Sequence, residues 1–149
     1  MKYTSLVIVL LVTAAAATTG TQFMPGEWYA GLIKPAWTPP NWLFGPVWSI
    51  LYVMIALAGW RIWLKQGFGP SLAVWGTGLA FNAAWSYLMF GAHRIDLALA
   101  GIVALLVSIA AFIVLARGVD CTASVLFLPY LVWVGFATAL NFAIFQLNG

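Results

Sequence analysis

Three stretches of the sequence each set an aromatic ring and a hydrogen-bonding group on one helical face. In "FNAAWSYLM", Asn82, Trp85, Ser86 and Met89 stand at i, i+3, i+4 and i+7, the spacing that stacks side chains along one side of an α-helix. Trp48 and Tyr52 are one turn apart, and Trp133, Ala137 and Asn141 follow at four-residue steps. Indole and phenol rings stack on flat apolar molecules while keeping one polar edge. Three such faces together describe an apolar cavity with a few convergent polar groups, the usual composition of a small-molecule site. Asn82 and Asn141 serve equally well as hydrogen-bonding glue between helices, and spacing leaves both roles open.

Ordinary catalytic constellations are missing. The chain has one histidine and one cysteine, so neither a metal cluster nor an intramolecular disulfide can be built within it. His93 sits beside Arg94 and reads as a solvated loop residue rather than a haem ligand. Glu27, Asp96 and Asp120 are far apart in sequence, which leaves no carboxylate pair for acid–base work, and Ser49 and Ser86 have no histidine near them. No catalytic residue, metal site or obligatory cofactor is assigned. Any chemistry has to come largely from the ligand.

The elements that position these faces must lie in a bilayer. Of 149 residues 64% are hydrophobic and 6% charged, with a mean hydropathy of +1.03, too few charges to solvate a water-facing surface. A helical span needs about 17–25 mostly apolar residues. Five segments qualify, at about 5–23, 43–64, 71–90, 97–116 and 122–146, in one domain. The expected class is all-α, a five-helix transmembrane bundle. The first span, with Lys2 ahead of an apolar run and "TAAAATTG" behind it, also fits a secretory signal peptide.

Between the first two spans, "PGEWYAGLI" (Pro25 to Ile33) predicts a short interfacial helix that Lys34-Pro35 ends. Pro39-Pro40 then forces an extended approach to the second span. With Trp37 and Trp42 to tie it down, this connection reads as a stiff lid. The charges lie at span ends and give no ion pathway through the bilayer, nor any basic run for nucleic acid. Lys2, Arg61, Lys65 and Arg117 fall on the face of the N-terminus, Lys34 and Arg94 on the other, which places the N-terminus in the cytoplasm. Gly76, Ala80 and Ala84 form a small-residue row opposite the Asn82 face, either packed within the monomer or used as a homodimer seam.

The most distinctive run, "WYAGLIKPAWTPPNWLFGPVWSILY", resembles the W-Y-x-x-L-x-K-P-x-W-x-P-P signature of the TspO/MBR family, the tryptophan-rich sensory and translocator proteins. "FNAAWSYLMFG" and "PYLVWVGFATALNF" resemble its third- and fifth-helix motifs, in the right order along nearly the whole chain. The resemblance implies a first loop folded as a lid over a ligand cavity. It also implies porphyrin-class ligands (protoporphyrin, haem), with light-dependent porphyrin breakdown in some bacterial members. By position, Trp48 and Trp133 match the tryptophans tied to that breakdown, and Trp37, Tyr52, Asn82 and Ala137 match positions near the ligand. Trp85, Ser86 and Asn141 join them from the helical faces. The cholesterol motif is incomplete, because Phe142 takes the tyrosine place and no base follows. The readings that follow are a binding or sensory protein, a light-dependent enzyme, or a transporter of porphyrin or sterol-like ligands, in a bacterial cytoplasmic membrane.

Overall fold

A computed structural model describes residues 2–148. Helix α1 spans Lys2–Gln22, a single turn α2 Glu27–Ala30, α3 Asn41–Gln66 and α4 Pro70–Ser86. A π-helical turn over Tyr87–Gly91 continues α4, and α5 (Ile95–Arg117), α6 (Cys121–Leu126) and α7 (Leu128–Asn148) follow. Helices α1, α3, α5 and the α6–α7 rod are each long and apolar enough to cross a membrane. The 17 residues of α4 and the five of its π turn make the fifth rod. Around the bundle the order is α1, α3, α6–α7, α5, α4 and back to α1. The chain is therefore an all-α, five-rod, multi-pass membrane bundle.

Two departures from the expected spans have local causes. The last rod is broken at Phe127 because Pro129 has no N–H to donate back to Val125. Phe127 N–H closes α6 on the Ser124 carbonyl instead, and Leu131 N–H restarts the ladder on Phe127. The α4 rod slips register at Tyr87, where Ala92 N–H reaches the Tyr87 carbonyl five residues back. Nothing in the apolar spacing signals that extra residue. The predicted interfacial helix is also shorter than Pro25 to Ile33, ending at Ala30. Lys34 Nζ donates to the carbonyls of Tyr29, Ala30 and Leu32 and so closes the turn.

Close approach between rods falls on other glycines than the predicted row. A Cβ on Gly59 would stand inside the Trp75 indole, and one on Gly78 would come within 3.0 Å of Ser108 Oγ. Gly76 has no atom within 4 Å of where its Cβ would be, and Ala80 and Ala84 are exposed. The Gly76/Ala80/Ala84 row thus points out of the monomer, which removes the reading of it as an internal seam. Helix α1 packs as a bundle member through Ser5, Val9, Thr13 and Ala16.

At one end, Trp60 Nε1 donates to the Lys2 carbonyl at 3.1 Å, and Asp120 accepts from Arg61 Nε at 2.9 Å with Lys65 Nζ at 3.4 Å. Asp120 also caps α6, accepting the N–H groups of Thr122 and Ala123, which anchors the orphan donors of a helix start. Burial by itself would raise the Asp120 carboxyl. The Arg61 guanidinium, the Ala123 N–H and the Lys65 charge outweigh it and hold the group below the usual carboxylate range.

Candidate functional site: an aromatic cavity in two chambers

The other end is roofed by the first connection. Tyr29 is buried with its ring edge-on to Phe90, and burial pushes its phenol up. Asn148 at the end of α7 holds both backbone groups of Ile33, accepting at 2.9 Å and donating at 2.7 Å. Trp37 meets Phe136 edge-on but remains 49% exposed.

Beneath the roof lies a chamber of about 200 Å³ between α1, α3 and the end of α4. Ala17, Gly20 and Thr21 form its α1 wall, Phe44, Trp48, Ser49 and Tyr52 its α3 wall, and Trp85, Ser86 and Phe90 its floor. Exposed residues Thr21, Met24, Gly45 and Ser49 rim it, so its mouth faces sideways, where lipid would be. A second chamber of about 20 Å³ sits against α7, lined by Tyr29, Ala137, Leu140 and Asn141 among others. Phe44, Trp85 and Phe90 line both chambers and are the partition between them. No charged side chain lines either one among the described residues.

The predicted residues fall into three positions. Trp48, Tyr52, Trp85 and Ser86 face the larger chamber, while Ala137 and Asn141 face the smaller one together with Trp85. Asn82 lies one layer back. Its Oδ1 accepts from Tyr52 OH and its Nδ2 donates to Tyr130 OH, both at 2.8 Å, so it joins α3, α4 and α7 and orients Tyr52. Asn141 does similar work, accepting from Trp85 Nε1 at 3.0 Å and donating to the Ile95 carbonyl at 3.2 Å. Trp133 is also set back, its ring between Phe44 and Phe136. Its Nε1 is buried without a hydrogen-bond partner, which a native structure seldom tolerates without a reason. Trp37 stands on the roof, outside both linings.

Sequence reasoning missed the α1 wall and the two phenylalanines of the partition, Phe44 and Phe90. Ala17, Gly20 and Thr21 are small residues in an all-round apolar helix and carry no periodic signal. Gly20 nevertheless matters, because a Cβ there would lie 3.8 Å from Tyr52 OH and 4.0 Å from Ser86 Oγ. Ser86 Oγ has no hydrogen-bond partner among the described residues, whereas Thr18 and Ser49 return theirs to a carbonyl four residues back. Among the described residues no group of histidine, cysteine and carboxylates could hold a metal ion.

The arrangement can grip the apolar faces of a flat ring system by stacking and offer its edge a few hydroxyl and indole contacts, while the open lateral rim leaves polar substituents outside the lining. Comparison with known proteins gives the family. Residues 4–147 match the model of the TspO/MBR family. A tryptophan-rich sensory protein of Cereibacter sphaeroides is 41% identical, covering 93% of this chain and 88% of its own. Protein CrtK of Rhodobacter capsulatus is 37% identical over 99% of this chain and 95% of its own. The human translocator protein is 37% identical over 87% and 81%.

Proposed function

The chain belongs to the TspO/MBR family, and from that premise we propose that it is a membrane receptor that binds porphyrin-class rings in the chambered cavity. The observation that carries this is the aromatic partition. An engineered apolar cavity of about 150 Å³ takes one benzene, so a chamber of about 200 Å³ holds a ring or two and not a four-pyrrole macrocycle. Turning Phe44 and Phe90 aside would join the chambers into one slot. Trp48 would then face one side of the macrocycle, and Trp133, which now stands behind Phe44 with its N–H free, would come into reach.

In this reading the ligand crosses the lateral rim from the bilayer and slides under the roof. Trp48 and Trp133 act as stacking walls in darkness. On illumination an indole in contact with the excited ring donates an electron to it, giving an indole radical cation and a porphyrin radical anion, and opening of the macrocycle from that pair uses dissolved dioxygen as the oxidant. The protein sits in a bacterial cytoplasmic membrane with its Lys2, Arg61, Lys65 and Arg117 end inside. It pairs with a second copy through the outward row of Gly76, Ala80 and Ala84, the kind of surface that lets helices approach in lipid.

Titration of the purified protein with protoporphyrin, first dark and then lit, tests the main claim. Saturable quenching of tryptophan fluorescence is expected, with product only under light. Trp48→Phe should keep most of the binding and lose most of the photoproduct. Turnover in darkness would require a catalytic group that this cavity does not contain, and absence of saturable quenching would remove the ligand class. For the dimer, Ala80→Phe should give monomers that still bind; intact dimers in crosslinking would put the seam elsewhere.

A further inference from the structure

The roof is pinned at four points, and one differs in kind from the rest. Tyr29 on Phe90, Trp37 on Phe136 and the Ile33–Asn148 pair involve no group that changes charge near neutral pH. At the fourth, the Trp28 indole lies flat on the His93 imidazole, with ring centroids 4.3 Å apart and planes 7° from parallel.

His93 holds an unusual backbone position. Its φ of +58° is the only positive value outside glycine among the described residues. Few residues with a Cβ occupy that region, His, Asn and Asp being the more tolerant. The turn closes the π-helical end of α4, with Arg94 N–H donating to the Leu88 carbonyl at 2.8 Å. That post-helical place ordinarily goes to glycine. The side chain is exposed, so core packing does not demand it either. What the ring does is cover Trp28.

We propose that His93 and Trp28 form a pH-sensitive latch on the roof, tightening as His93 gains a proton. Histidine is the side chain whose charge ordinarily changes between about pH 5 and 8. A cation over an indole face is attracted by the ring quadrupole, a gain the neutral imidazole lacks. The surrounding groups leave that charge to Trp28. From the roof, Glu27 adjoins Trp28 in sequence without pairing to His93, Tyr29 is a neutral phenol, and Lys34 is engaged by three carbonyls. From the connection after α4, Arg94 and Asp96 close on each other through two hydrogen bonds. The α7 end contributes the uncharged Asn148. Among the described residues His93 forms no ion pair. Acidification therefore slows opening of the roof. The consequence for ligand exchange rests on the cavity reading above, but the latch itself does not.

Hydrogen–deuterium exchange of the amides over residues 27–34, in the full chain in lipid nanodiscs and corrected for intrinsic rates, measures the latch directly. Protection in the wild type should rise about two- to fivefold from pH 8 to pH 5.5. His93→Phe keeps a flat ring without a charge and should make protection independent of pH. His93→Gly eases the left-handed turn and drops the ring, so the fold should persist with a roof poorly protected at both pH values. Persistence of the wild-type pH response in His93→Phe would overturn the latch, as would an unchanged roof in His93→Gly. Protoporphyrin dissociation rates should follow the exchange data. If protoporphyrin does not bind at all, the ligand proposal falls and the exchange result still decides the latch.

Discussion

The two ends of the bundle are built from different materials. At the Lys2 end, the Asp120 side chain is 2% exposed with its carboxylate met by Arg61, Lys65 and two helix N–H groups. Not far from it, Gly59 lets the Trp75 indole into contact with α3, where Nε1 donates to the Ile55 carbonyl at 2.9 Å. At the roofed end the helices stand apart around two chambers. The gaps are bridged by rings, a π turn, a left-handed histidine and an indole N–H with no partner. Satisfied polar groups and glycine contacts have one good arrangement, whereas aromatic edges trade places at little cost. The first end holds the rods together by satisfied polar contacts, and the proposed opening of the partition would draw on the looser packing of the second.

The largest effect should come from disturbing the tight end. Gly59→Ala puts a methyl group where the Trp75 ring lies, and the ring must move or give up its hydrogen bond. Overpacking of this kind costs about 1–3 kcal/mol, with about 1 kcal/mol more if the Trp75–Ile55 bond breaks. Its counterpart at the roofed end is Gly20→Ala, where the new Cβ finds ordinary contact distances and helix propensity improves. Thermal unfolding in detergent should therefore fall sharply for the first variant and hold or rise for the second. Equal losses would erase the distinction between the ends.

Asp120 gives the next effect, and it carries a pH signature. A carboxyl held below its ordinary value in the fold contributes stability that is fully present above the unfolded value of about 3.9. That contribution is lost as pH falls through the lower folded value. Wild-type unfolding temperature should be level through neutral pH and drop below about pH 4. Asp120→Asn keeps a capping oxygen but loses the ion pairs, and should cost about 1–2 kcal/mol at pH 7. Its acid-side drop should be shallower than that of the wild type. An unaltered drop would assign the acid sensitivity to Asp96, whose carboxyl the Arg94 guanidinium also holds low.

How much of this was readable in the sequence follows the same division. The face of Asn82, Trp85, Ser86 and Met89 is buried as its spacing requires, because an α-helix converts sequence separation into direction. The outward row of Gly76, Ala80 and Ala84 was readable as a row, but not its direction, since in lipid both faces of a helix are apolar and hydrophobicity does not separate inside from outside. The α1 wall was hidden for that reason too. The π turn shifts register without leaving a compositional trace, and the Trp28–His93 stack joins segments far apart in the chain. Pro129 did announce the break at Phe127. Reading a single span over 122–146 passed over the missing N–H.

The smallest effect tests the boundary between the two ends, at Asn82. Its amide binds Tyr52 on α3 and Tyr130 on α7, and Tyr52 in turn lines the larger chamber. Replacing Asn82 by Leu strips one partner from each phenol while keeping the volume nearly constant. Interhelical hydrogen bonds of this kind average about 0.6 kcal/mol each in a membrane, so a loss of about 1 kcal/mol in stability is expected. Protoporphyrin affinity should stay within about twofold, because the amide stands behind Tyr52 and the stacking rings are untouched. The two measurements have to be made on the same preparation, since a partly unfolded sample mimics weak binding. A tenfold loss of affinity with stability intact would make Asn82 a direct ligand contact. The movable region would then reach through Tyr52 to α4, and the partition proposed at Phe44 and Phe90 would be only its outer part.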